Sequence, residues 1–253
     1  MGHHHHHHMM TVGLYLYGIF PEPIPDGLVL QGIDNEPVHS EMIDGFSFLY
    51  SAAHKEKYLA SRRYLICHEK VLETVMEAGF TTLLPLRFGL VIKTWESVTE
   101  QLITPYKTQL KELFAKLSGQ REVSIKIFWD NQWELQAALE SNPKLKQERD
   151  AMMGKNLNME EIIHIGQLIE ATVLRRKQDI IQVFRDQLNH RAQEVIESDP
   201  MTDDMIYNAA YLIPWEQEPE FSQNVEAIDQ QFGDRLRIRY NNLTAPYTFA
   251  QLI

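Results

Sequence analysis

The strongest constraint on how this chain folds is a change of hydrophobic period immediately after Ser118-Gly119. Trp95 to Leu117 spaces its apolar residues as a helix does, whereas Val123, Ile125, Ile127 and Trp129 alternate and share one face of a strand. A chain that stops a helix on Ser-Gly and at once begins a strand is opening a new packing unit, so a domain boundary is placed at 119/120. Beyond it, Asn131 to Glu140 reads as a helix. Met159 to Glu197 carries Ile162, Ile165, Ile169, Val173, Ile180, Phe184, Leu188 and Val195 at helical spacing, with a break or helical hairpin predicted at Arg175-Arg176-Lys177. Asp199-Pro200 stops that stretch. Met205 to Ile213 then reads as a strand, Pro219 to Phe232 as a helix and Asp234 to Tyr240 as a strictly alternating strand. This order predicts a ferredoxin-like split βαβ domain over 120–241 with a helical insertion at about 143–198; the second strand of the ideal version is not visible in the pattern.

The N-terminal part, 9–119, predicts a small antiparallel sheet with helices. Thr11 to Phe20 alternates as a strand and is stopped by Pro21, Pro23 and Pro25; Leu28 to Ile33, Pro37 to Ser40 and Phe46 to Tyr50 are further short β-rich pieces. Lys55 to Ala78 reads as a helix ended by Gly79, Leu83 to Val91 is extended with Pro85 marking an edge, and Trp95 to Leu117 is a second helix. The fold class is therefore α+β in two domains. Met1 to His8 reads as a purification tag and is set aside. The tail 242–253 holds Leu243, Pro246, Tyr247, Phe249, Leu252 and Ile253, too apolar for a free end, and is predicted to dock in a groove, one between the domains being an option.

Charge and composition narrow the function. Lys and Arg total 24 against 35 Asp and Glu, a formal net of -11, which repels nucleic-acid phosphates at long range. No apolar run approaches the roughly 18 residues of a membrane span, so neither nucleic acid nor a lipid membrane is an expected partner. Cys67 is the single cysteine and cannot form an internal disulfide, and the cytoplasm is the expected compartment.

Catalytic motifs are missing where they would be sought. Gly154-Lys155-Asn156 lacks the hydroxyl residue and the preceding glycine of a phosphate loop, and no nucleophile elbow or dinucleotide fingerprint occurs. The histidines outside the tag, His39, His54, His68, His164 and His190, form no ligand-spaced pair. No catalytic, cofactor-binding or metal-binding residue is assigned, and the chain reads as a non-enzyme. Cys67-His68-Glu69 holds the residue types of a triad, but neighbours on a helix diverge by about 100° and cannot bond in series. His68 instead falls inside an apolar arc of Tyr58, Tyr64, Leu65, Val71, Leu72, Val75 and Met76, with Cys67 at its border, so both are expected in the core. Glu69, Glu73 and Glu77 read as a solvated face.

Seven residues stand out as candidates for contact with a partner or between domains: Arg87, in an otherwise apolar segment; Arg235, Arg237 and Arg239, on one face of the last strand; and Pro246, Tyr247 and Phe249 in the tail. The arginines would meet Lys126 and Phe128 on a common sheet surface, which imitates an RNA-binding face but lacks the glycine-aromatic motif of one. Two competing readings are an enzyme with an interdomain cleft centred on His68, Glu69 and Arg87, and an RNA-binding module on the arginine face.

Five segments in order, GLYLYGI, RRYLICHEKVLETVME, LLPLRFG, VSIKIFWD and DRLRIRYNNLTAPYTF, resemble the GvpF/GvpL family of gas vesicle proteins over nearly the whole untagged chain, the tail being closer to the cyanobacterial GvpF type. The resemblance implies a minor, accessory component of the gas-filled protein shell. It implies binding to the small, very hydrophobic major shell protein GvpA, help in early assembly alongside other accessory proteins, and association with the shell, its gas-facing side included. It implies no reaction and no cofactor. An escort of this kind would mask apolar surface and open strand edges of the shell subunit, by strand addition at the Pro85 edge or by groove docking.

Overall fold

The computed structural model describes residues 10–29 and 31–252; the tag Met1–His8, Met9, Leu30 and Ile253 lie outside the described residues. The chain forms two compact units. One holds the chain up to Glu122 together with the segment from Leu243 onward, and the other is Val123–Asn242.

In the first unit, β1 (Gly13–Phe20) is central, flanked by β3 (Phe46–Ala53) on one side and by the two-residue strands β4 (Leu84–Pro85) and β5 (Val91–Ile92) on the other. β2 (His39–Ile43) is the outer strand beside β3. All pairings are antiparallel. Because β1 is covered on both faces, its alternation does not separate inside from outside: Tyr15, Leu16 and Tyr17 are all buried. Helix α1 (Arg62–Glu77) starts where the Ser61 side chain accepts the Tyr64 N–H, and Gly79, at φ 104, lets the chain turn away at its end. The helix begins later than the sequence pattern predicts, since Lys55 to Ala60 lies in a loop ahead of the Ser61 cap. The described residues of the predicted Leu28–Ile33 strand, 28–29 and 31–33, form no strand either; Ile33–Asn35 is a short 3-10 turn with Asp34 and Asn35 at positive φ.

Helices α2 (Trp95–Val98) and α3 (Thr104–Leu117) are joined by a π-helical turn at Thr99–Ile103. Pro105, in the first turn of α3, has no N–H to return to the preceding turn, and the wider π spacing absorbs that missing bond.

The second unit carries β6 (Gln120–Trp129), α4 (Asn131–Ser141), α5 (Pro143–Met152), α6 (Met159–Leu188), β7 (Glu194–Glu197), β8 (Met205–Pro214), α7 (Glu218–Phe232) and β9 (Leu236–Thr244). Its sheet order, β7-β8-β6-β9, is that of a ferredoxin-like split βαβ. The strand that the sequence pattern does not reveal is β7. Met159 to Glu197 is therefore not helical throughout: the helix stops at Leu188, and Val195 pairs with Tyr211 of β8. The predicted break at Arg175–Lys177 is also absent, and α6 runs unbroken for 30 residues. Arg176 reaches a carboxylate and Lys177 lies over the Trp129 ring, so neither charge interrupts the helix. The core of this unit joins Val123, Ile125 and Ile127 of β6 to Ile180, Phe184 and Leu188 of α6 and to Phe221, Val225 and Ile228 of α7.

Candidate functional site

α1 presents two different faces, one inward with a polar centre, the other outward, where Leu65 and Ile66 are exposed among charged residues. Inward, His68 is 2% exposed and links three segments. The Gly89 N–H donates to the Tyr15 hydroxyl (3.0 Å), the Tyr15 hydroxyl donates to His68 Nδ1 (2.8 Å), and His68 Nε2–H donates to the Leu86 carbonyl (2.8 Å). A carbonyl can only accept, so Nε2 carries a proton; burial keeps the ring neutral, which leaves Nδ1 to accept from Tyr15. Burial holds the His68 pKa at about 4, against the opposing pull of the Leu86 carbonyl. Tyr17 continues the polar line, sharing a 2.7 Å hydrogen bond with Ser51 and accepting the Ile33 N–H at 2.9 Å. Nearby, the Asp34 carboxylate accepts the hydroxyls of Tyr64 (2.8 Å) and Tyr58 (3.1 Å). Burial, together with the Asp34 charge, pushes Tyr58 up to about 12, the His54 N–H opposing it.

The structure does not gather the sequence-level enzyme candidates at one centre. His68 points inward, while Glu69 and Arg87 are exposed. Leu65, placed in the apolar arc by the pattern, is 38% exposed and lies on the outer side. Cys67 is half-buried, and burial raises its pKa, so at neutral pH it is a thiol and a poor nucleophile. Among the described residues no group of three or more His, Cys, Asp or Glu side chains could hold a metal ion, and no helix is long and apolar enough to cross a membrane.

Outward, α1 borders a groove of about 600 Å³ against the Leu28–Val29 segment. Ile66, Cys67 and Val71 form its floor and Arg63 and Lys70 its rim. An apolar trough edged by two cations on a chain of net charge -11 is a local reversal of the overall field. The periodicity of α1 hints at this surface only through Ile66, an apolar residue outside the main arc.

The tail candidates pack on the first unit. Pro246 and Phe249 are buried, and the Glu122 carboxylate, itself 5% exposed, accepts the Thr248 N–H (2.9 Å) and hydroxyl (2.8 Å). Lys116 stands 5.9 Å above the Phe249 ring. Tyr247 is half-buried, and burial followed by the nearby Glu69 and Glu73 charges raises its pKa. Leu84 and Pro85 are buried and pair over only two residues with β1, leaving little open edge there.

The arginine row divides. Arg235 is not on the final strand: it ends the 3-10 turn Gly233–Arg235, and its guanidinium is drawn to Glu134 at 2.6 Å. Glu134, fully buried, also accepts from Arg176 at 3.0 Å. Nothing in the sequence marks Glu134, because one of its partners lies 42 and the other 101 residues away. Arg237 and Arg239 do lie on β9 and both cover Phe128, at 4.2 and 5.2 Å from its ring centre. That ring is 6% exposed, so it offers no open face for a base to stack on.

The fold and its surfaces define a two-unit α+β protein with a ferredoxin-like sheet in the second unit and a basic-rimmed apolar groove on the first. The chain belongs to the family of gas vesicle synthesis proteins GvpL/GvpF, whose family model matches residues 13–251. It is 68% identical over 243 residues to gas vesicle protein F of Nostoc sp. strain PCC 7120, covering 96% of this chain and 100% of that one. It is 66% identical to gas vesicle protein F of Dolichospermum flosaquae, covering 96% and 99%. The crystal structure of the gas vesicle protein GvpF from Anabaena sp. PCC7120 superposes with a TM-score of 0.85 at 65% identity, covering 94% of this chain and 96% of that one.

Proposed function

We propose that this chain is an accessory gas vesicle protein that binds the major shell protein GvpA, keeps it from aggregating, and assists assembly of the shell. The observation that carries this reading is the near-full-length similarity to proteins named gas vesicle protein F. The physical account is masking. A shell subunit with exposed apolar surface aggregates before it assembles, and a soluble escort must cover that surface while keeping the pair in solution. The groove on α1 supplies apolar area, Arg63 and Lys70 favour a segment carrying carboxylates, and the net charge of -11 keeps a complex dispersed. In this reading the protein makes or breaks no bond. It stays with the shell, on the gas-facing side, and its work is complete when the subunit has been handed over.

The test is co-purification of GvpA with this protein and a light-scattering assay of GvpA aggregation. Binding and a delayed onset are expected, both weakened by Ile66→Glu. No binding and an unchanged onset would remove the escort role.

A further inference from the structure

α1 lines its outer groove in steps of three and four residues. Arg63, Ile66, Cys67, Lys70, Val71 and Thr74 all face it. Within that row Arg63, Cys67, Lys70 and Thr74 follow the spacing four, three, four, which is the spacing of a seam between two packed helices. The chain supplies one half of such a seam. The opposite wall, Leu28 and Val29, is loop, and Ile66 is left 49% exposed. Cys67 and Thr74 are small, so holes stand open beside the longer side chains.

The charges that line the groove are of one sign. Arg63 and Lys70 are exposed, and among the described residues no carboxylate lines it. The acids nearby are directed elsewhere. Asp34 accepts the Tyr58 and Tyr64 hydroxyls, Glu69 and Glu73 act on Tyr247 at another side of α1, and Glu77 lies three residues beyond Thr74, past the end of the groove. Arg63 lies 5.3 Å from the centre of the Tyr64 ring, a contact that leaves the N–H edge of a planar guanidinium for a carboxylate.

The groove suits a helix better than a strand. Its floor is made of side chains, and Val29 already gives its carbonyl to the Val38 N–H, so an extended segment would lay its backbone groups over apolar side chains without partners. A helix brings its own backbone bonds. The two cations are about 10 Å apart along α1, the rise of seven residues. A partner helix repeats one face at that same interval, whereas same-side residues of a strand fall at about 7 or 13 Å.

We infer that the groove on α1 receives an acidic amphipathic helix of the partner, one whose apolar stripe packs on Ile66, Cys67 and Val71 and whose carboxylates, seven residues apart, pair with Arg63 and Lys70. The inference rests on the reading that this groove holds the shell subunit, and adds the conformation and charge pattern of the segment it takes up.

The probe is a hydrocarbon-stapled synthetic helix of about four turns with a leucine stripe and two glutamates seven residues apart. Its binding to the full chain at physiological salt is read by fluorescence anisotropy, and its position by alkylation of Cys67, the single cysteine, which the bound helix is expected to suppress. Replacing both glutamates of the peptide by glutamine is expected to weaken binding by at least about tenfold, and Ile66→Ser to weaken it by about tenfold at an unchanged melting midpoint. Arg63→Glu with Lys70→Glu is expected to lose the glutamate helix and to have Cys67 protected by its lysine counterpart, while Arg62→Glu, on another side of α1, keeps the preference of the original chain. Equal binding of the glutamine helix, equal binding of a strand-forming peptide of alternating leucine and glutamate, an unchanged preference in the reversed variant, or binding that leaves Cys67 open to alkylation would each overturn the inference. Self-association of the protein that Ile66→Ser abolishes would also overturn it, by giving the groove to a second copy. If GvpA is held and the glutamate helix is not, the escort role stands and this inference falls; if the helix is held and GvpA is not, the reverse is true.

Discussion

Tyr15 and His68, 53 positions apart in the chain, share a buried 2.8 Å hydrogen bond that fixes the histidine as the neutral acceptor. The bond ties β1 to α1, and through Leu86 and Gly89 it also fixes the segment that follows β4. A protonated ring would donate at Nδ1 instead, reversing this bond and leaving the Tyr15 hydroxyl proton without its acceptor.

That gives the first prediction. The His68 pKa in the fold, about 4, is below the usual 6.5, so the unfolded chain binds the proton more readily. Stability from this site is fully present above about pH 6.5 and is lost as pH falls toward 4, by about 3 kcal/mol in all. Urea unfolding measured between those limits should show this slope, and His68→Leu should flatten it. His54 should titrate the other way: burial pulls its pKa down, but the Glu36 carboxylate at 2.7 Å, the Met10 carbonyl and the Asp34 charge together outweigh this and raise it. Its contribution is present below pH 6.5 and lost as pH rises through the raised value, which histidine NMR titration reads directly.

Glu134 is the second site to probe. It is fully buried and neutralised by Arg176 and Arg235, so removing it leaves two partly buried guanidiniums without their carboxylate. Glu134→Ala is expected to destabilise the second unit by about 3–5 kcal/mol, read as a drop in the urea midpoint. Surface changes such as Glu197→Ala, which breaks the half-exposed pair with Arg185, should cost about 1 kcal/mol or less.

The tail is held by the buried Pro246 and Phe249 and by two hydrogen bonds from Thr248 to Glu122. Phe249→Ala empties a buried site and should cost about 3–5 kcal/mol, while Thr248→Val removes one donor to Glu122 and should cost about 1–2 kcal/mol. Thermal melting, with limited proteolysis of the C-terminal residues, separates a lost tail from a general loss of fold.

Gly166→Ala should stabilise. The new methyl group meets nothing, and replacing a mid-helix glycine by alanine is worth about 0.5–1 kcal/mol. An increase in the melting midpoint is expected, and a decrease would show that the open space at Gly166 is filled in solution.

Much of the architecture could be read before the structure was seen. The alternation in β6, the apolar line of α6 as far as Leu188 and the Ser118-Gly119 stop each follow from one local period and stand where the pattern puts them, whereas β9 begins at Leu236, two residues later than the pattern has it, and runs on to Thr244. β7 escaped because Glu194–Glu197 is too short to show a period of its own and continues the helical spacing at Val195; only pairing with β8 makes it a strand. The same limit applies to sites. Arg235 looked like a member of the strand row because the sequence alternates through it, yet the turn at Gly233 and the pull of Glu134 take it elsewhere.

The sequence by itself determined the α+β class, the periods of the long elements, the acidic field and, through five ordered segments, the family. Those are sums over neighbouring residues, and neighbours in the chain are what a sequence records. Tertiary structure alone decided which charges are consumed internally, that His68 stays neutral, and that Ile180, Phe184 and Leu188 are the part of the α6 line that enters the core. Each of these depends on residues tens of positions apart meeting in a place where water is excluded, and there a single missing or present partner outweighs local propensity.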